Sequence, residues 1–118
     1  MDFETVREYC LSKPHVTESF PFDETTLVFK VMNKMFALIG LNAEDPFVNL
    51  KCDPDRAIEL REEYDAIRPG YHMSKKHWNS VYLEHGLTGR MIQELIDHSY
   101  TLIVKSLPKK VREQMDET

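Results

Sequence analysis

From Met35 to Leu41 the chain reads Met-Phe-Ala-Leu-Ile-Gly-Leu, apolar at every position. Such a run fits a central strand covered on both sides, and it is far too short to cross a bilayer. The stretches Thr26 to Met32 and Phe47 to Cys52 are also β-rich but alternate more, so they are predicted to flank it with less burial. Asn33-Lys34 supplies a two-residue hairpin turn between the first two runs, because Asn tolerates positive φ. The segment through Pro14 and Pro21 reads as a loop. Strands joined in sequential hairpins argue an antiparallel sheet.

Helical signals frame these strands. Asp2 is a candidate N-cap, Phe3, Val6 and Cys10 recur at helical spacing, and Pro14 follows, which predicts a first helix from Asp2 to Lys13. Asp53-Pro54 is a second helix start, with Ala57, Ile58, Arg61 and Tyr64 at helical spacing after it. Arg68-Pro69-Gly70 breaks the chain, and Gly70 to Leu83, as GYHM, SKK and HWNSVYL, reads either as two short strands or as one strand with a long polar turn. Thr88 caps the longest helix, whose stripe runs Met91, Ile92, Leu95, Ile96, Ser99, Leu102, Ile103, Ser106. Leu107-Pro108 ends it, and a short charged helix is predicted from about Lys109. The predicted order is α-β-β-β-α-β-β-α plus a terminal helical turn. It describes one α+β domain over residues 1–118, an antiparallel sheet flanked by helices.

Several chemistries lack their residues. No serine sits in a Gly-x-Ser-x-Gly elbow, neither Cys10 nor Cys52 has a catalytic context or metal-ligand spacing, and four glycines in 118 residues leave no Gly-rich phosphate cradle. The two cysteines are expected as reduced, buried thiols. His72 and His77 have no third His or Cys nearby, and the lysines between them would place cations beside a metal. The expectation is a protein without enzymatic activity, metal or cofactor. With acidic Asp2 and Glu4 at its start and no long apolar segment, the chain is expected to be soluble and cytoplasmic, without a membrane partner.

The net charge of −5 is unevenly distributed: residues 1–65 hold 14 Asp/Glu against 7 Lys/Arg, whereas residues 66–112 hold 3 against 8. A local field matters more than the net value for an anionic ligand. The densest chemistry lies from His72 to Trp78, where Lys75 and Lys76 stand between Tyr71, His72, His77 and Trp78. Lysines there suit phosphates, and exposed rings suit base stacking or groove contacts. Against this, Tyr71 and Trp78 could be half-buried strand residues, with Lys75-Lys76 a solvated turn. Lys105, Lys109, Lys110 and Arg112 surround the end of the long helix, where cations also complement the helix dipole. Glu62, Glu63 and Asp65 would repel phosphate if they shared a face with the basic loop.

The run RPGYHMSKKHWNSVYL from Arg68 to Leu83, with CDPDRAIELREEYDAI before it and LIDHSYTLIVKSLPKK after it, resembles the MmcQ/YjbR family over nearly the whole chain. The resemblance implies a compact fold of the type also seen in secretion chaperones, and a DNA-binding role built on a wing-like arrangement of strands. The expected phosphate contacts are Arg68, Lys75, Lys76, Lys109, Lys110 and Arg112, with Tyr71, His72, His77 and Trp78 adding stacking or groove contacts. Double-stranded DNA is thus the first expected partner. The alternative is a protein-interaction module, in which an exposed sheet face or the long helix meets another polypeptide or a second copy of the chain.

Overall fold

The computed structural model describes residues 1–116; the last two positions of the expected domain lie outside the described residues. In α1 (Phe3–Leu11) the Asp2 carboxylate accepts the Thr5 amide as N-cap, and Val6 and Cys10 are fully buried. Six strands follow: β1 (Val16–Ser19), β2 (Thr26–Val31), β3 (Lys34–Gly40), β4 (Phe47–Lys51), β5 (Ile67–Pro69) and β6 (Trp78–Tyr82). They form one antiparallel sheet in the order β1-β2-β3-β4-β6-β5. Between β4 and β5 runs α2 (Pro54–Glu63), capped by Asp53 with Pro54 in its first turn; α3 (Gly89–Ser106) and α4 (Lys109–Asp116) follow β6.

The α+β class, the antiparallel sheet and the helices hold as expected, with three local differences. Residues 16–19, expected as loop, form the edge strand β1. Its four residues are too few for a period-2 signal; pairing with β2 and the Arg7–Glu18 ion pair from α1 fix it instead. The hairpin turn lies one residue earlier than expected. Val31 pairs with Lys34, so Met32 (φ 48) and Asn33 (φ 69) are the central residues, both left-handed as a type I′ turn requires. An irregularity at Phe29/Lys30 leaves Phe36 as an extra residue on β3, and Phe36 and Ala37 both enter the core. Finally, of the two alternatives for Gly70 to Leu83, one strand after a long polar turn holds, while β5 occupies Ile67–Pro69, where a break is expected. After Pro69 the chain turns back over the sheet, with His72 at φ 58.

One face of the sheet carries Leu27, Phe29, Ala37, Ile39, Val48, Leu50, Val81 and Ile67 in matching register, and α1, α2 and α3 pack on it. The α3 stripe contributes Ile92, Leu95, Ile96 and Ile103, each side chain contributing on the order of 1.5–3 kcal/mol by burial. Ser99 sits in that stripe because its hydroxyl donates to the Phe36 carbonyl and accepts the Lys51 amide, tying α3 to β3 and β4. The opposite face presents Val28, Leu38, Asn49 and Ser80 in register. Instead of a helix, the connections at 20–25 and 70–77 border this face.

Candidate nucleic-acid interface

In an antiparallel sheet, connections alternate between its two ends, and here the alternation sorts the charges. At one end lie connections 20–25, 41–46, 64–66 and 84–88, which hold Asp23, Glu24, Glu44, Asp45, Asp65 and Glu84 and no Lys or Arg. At the other end lie connections 12–15, 32–33, 52–53, 70–77 and 107–108. With the residues up to two positions outside them they carry Lys13, Lys30, Lys34, Lys51, Lys75, Lys76, Lys105, Lys109 and Lys110 against Asp55, while by the same margin Arg90 stands at the acidic end. The acid within those connections is Asp53, which is engaged as the cap of α2.

The last turn of α2 lies behind the basic loop: Arg61, the residue before Glu62, donates to the Lys75 carbonyl. Glu62 and Glu63 are therefore close enough to offset part of the lysine field. Asp65 follows at the acidic end.

The residues singled out from the sequence fall into four places. Lys75, Lys76 and His77 are exposed at the basic end, and Trp78 is half-buried beside Lys51 as its register partner. Lys109, Lys110 and Arg112 are exposed on α4 at the same end, but toward β1, where His15 meets the Met115 carbonyl. Strands β2, β3 and β4 stand between the two groups. Tyr71 and His72 instead lie over the helix-free sheet face: the Tyr71 ring stands edge-on to Phe47 at 5.9 Å and to His72 at 4.1 Å. Arg68 is on β5, its guanidinium 4.4 Å above the Tyr82 ring and its Nε donating to the Asp65 carbonyl, so the fold does not carry it to the lysine cluster.

The basic loop is held from behind. Arg61, on α2, donates from Nε to the Asn79 side-chain oxygen at 2.6 Å and from its terminal nitrogen to the carbonyls of Lys75 and Trp78. Cys52 N–H reaches the His77 carbonyl at 2.9 Å, and the Lys75 ammonium closes on the Gly70 carbonyl at 3.1 Å. Gly70 is required: a Cβ there would stand 2.9 Å from the Cβ of Trp78. On the sheet face, the Tyr71 amide donates to the Ser80 hydroxyl, the hydroxyl to the Asn49 carbonyl oxygen, and the Asn49 NH₂ back to the Tyr71 carbonyl. This closed triangle is what replaces ladder pairing in GYHM.

Lys13, Lys34 and Lys51 were not singled out from the sequence because they lie in its acidic half. Assigning strand ends, rather than counting charge along the chain, is the signal that finds them. Lys13 is paired with Asp97 and lies over the Tyr9 and Tyr100 rings. Among the described residues no group of three or more His, Cys, Asp or Glu is placed to hold a metal, and no helix is long and apolar enough to cross a membrane.

The family model described as YjbR matches residues 11–102. The chain belongs to the YjbR family. Its YjbR-family relatives include the uncharacterised Escherichia coli O157:H7 protein YbdF, 38% identical over 91% of this chain and 88% of that one. YjbR of Escherichia coli K12 is 34% identical over 95% of both chains. In three dimensions the chain is similar to Deinococcus radiodurans protein DR2400 (TM-score 0.89, 39% identity, 96% of this chain and 86% of that one). It is also similar to a Pseudomonas syringae protein (TM-score 0.75, 28% identity, 86% and 98%). The matched YjbR segment contains Lys13, Lys34, Lys51, Lys75 and Lys76, whereas Lys105 and the α4 cations lie beyond it.

Proposed function

We propose that this YjbR-family protein is a non-enzymatic DNA-binding protein that meets the duplex backbone with the lysine-rich end of its sheet. The supporting observation is the sorting of charge between the sheet ends, which gives an acidic chain a basic surface. Lys34, Lys51, Lys75 and Lys76 form its centre, with Lys109, Lys110 and Arg112 extending it toward β1. Trp78 and His77 stand among the lysines and supply groove contacts, while Tyr71 and His72 are set back on the sheet face. Lysines act as point charges on phosphates, so the contact is sequence-tolerant and salt-dependent.

Fluorescence anisotropy with a labelled 20-base-pair duplex tests this. Neutralising about five phosphates predicts a slope of log K against log salt of roughly −4.5. Lys75→Glu/Lys76→Glu should weaken binding at least tenfold, and Lys34→Glu/Lys51→Glu comparably. Glu44→Gln/Asp45→Asn, in connection 41–46 at the acidic end, should change it less than twofold. No binding at 20 mM salt, or equal binding by the lysine reversals, refutes the reading.

A further inference from the structure

The helix-free sheet face holds a groove of about 520 Å³, within the range of small-molecule sites. Its floor is Leu38, Met35 and Asn49, and its walls carry the rings of Phe22, Phe47 and Tyr71. Phe22 is 64% exposed and Tyr71 57% exposed, so two of these rings present uncovered π-surface. Asn49 commits one N–H to the Tyr71 carbonyl and one oxygen lone pair to the Ser80 hydroxyl, and Asn42 adds a second carboxamide to the lining. Among the described lining residues there is no Lys or Arg, and the one acid is Asp23. Its carboxylate accepts the Thr25 and Thr26 amides at 2.8 and 2.7 Å, bonds that favour the ionised form. Aromatic rings beside a fixed anion attract an organic cation through ring quadrupole and charge together.

We infer that this groove binds a small aromatic or branched-alkyl ammonium ion, with its apolar part on Leu38 and Met35 and its charge among Phe22, Tyr71 and Asp23. An anionic ligand finds no Lys or Arg among the described lining residues, where His72 is the one side chain able to carry a positive charge. The groove shares the 70–77 connection with the lysine-rich end, but its test uses no nucleic acid, so the two readings fail separately.

Two variants separate shape from charge. Gly40 lines the groove, and a Cβ added there meets nothing within 4 Å, so Gly40→Leu fills space without a clash at the backbone. Asp23→Asn keeps an oxygen for the Thr25 and Thr26 amides and removes the charge. Amide NMR with benzyltrimethylammonium, benzyl alcohol and phenylacetate is the measurement. The cation should shift Leu38, Asn49 and Tyr71 with saturation at millimolar concentration or below, benzyl alcohol at least fivefold more weakly, and phenylacetate not at all. Asp23→Asn should lower cation affinity about fivefold and leave benzyl alcohol unchanged; Gly40→Leu, with a dispersed spectrum, should abolish both. Absence of saturable shifts, equal affinity for phenylacetate, or an unchanged response in either variant overturns the inference. So does a concentration-dependent dimer that occupies the same residues without probe.

Discussion

Arg61 on α2 donates from Nε to the side-chain oxygen of buried Asn79 on β6 at 2.6 Å, and the same guanidinium takes the carbonyls of Lys75 and Trp78. A single planar fork therefore joins a helix, a strand and the loop that carries the exposed lysines. The Asn79 NH₂ also reaches the Ala57 carbonyl of α2, so the helix and strand are linked from both sides of that carboxamide.

Lysine cannot reproduce this arrangement, because its point charge lacks the fork. Arg61→Lys is expected to cost about 2–3 kcal/mol, the value of hydrogen bonds to a charged group with one buried partner left short. Urea unfolding measures the loss. Hydrogen exchange should locate it, with faster exchange at His77 and Trp78 than at Val48. An unchanged urea midpoint would show that Arg61 does not hold the loop.

Ser80 is fully buried, and its hydroxyl is the corner through which Tyr71 and Asn49 are joined. Ser80→Ala leaves the Tyr71 amide and one Asn49 lone pair without that partner. The expected cost is about 1–3 kcal/mol. The readout specific to this triangle is the Tyr71 amide, which should lose its exchange protection while the β2–β3 ladder keeps its own. Retained protection at Tyr71 would assign its ordering to the ring contact with Phe47 instead.

How far the sequence reveals this fold depends on the range of each signal. The apolar run at Met35 to Leu41, the Asp53-Pro54 start and the α3 stripe are local patterns, and each marks its element to within a residue or two. β1 was missed because Val16-Thr17-Glu18-Ser19 has one apolar residue, and its partner strand lies elsewhere in the chain. GYHM stays ambiguous in the sequence because the Tyr71 backbone is satisfied by Asn49 and Ser80 side chains, distant partners that local propensity does not register. The candidate interface was half legible. Lys75, Lys76 and the α4 cations stand out along the chain, while Lys34 and Lys51 join them only once antiparallel pairing brings alternate connections to one end.

The misplaced hairpin turn yields its own prediction. With Met32 and Asn33 both at positive φ, the second position should reject a β-branched residue. Asn33→Val is expected to cost about 1–2 kcal/mol. Lys34→Val should be within roughly 0.5 kcal/mol of neutral, because Lys34 is the exposed first residue of β3 and pairs with Val31. Had Asn33-Lys34 been the central pair, both substitutions would be costly, so comparing the two urea midpoints distinguishes the registers.

Acid sensitivity should centre on His98. Its Nε2 accepts the Asp53 amide at 3.2 Å, a bond that needs the neutral ring. Burial, with the nearby Arg56 and Lys105 charges, holds its pKa below the ordinary 6.5 against the Asp53 carboxylate. As pH falls through 6.5 the unfolded chain takes up a proton that the folded chain refuses, so the unfolded state is favoured. The contribution of neutral His98 is therefore complete above about pH 6.5 and declines below it until the folded ring also titrates. His98→Gln keeps an acceptor for the Asp53 amide and removes the titration. Its stability relative to the parent protein should improve between pH 7.5 and pH 5.5. A pH-independent difference between the two proteins would remove His98 as the cause.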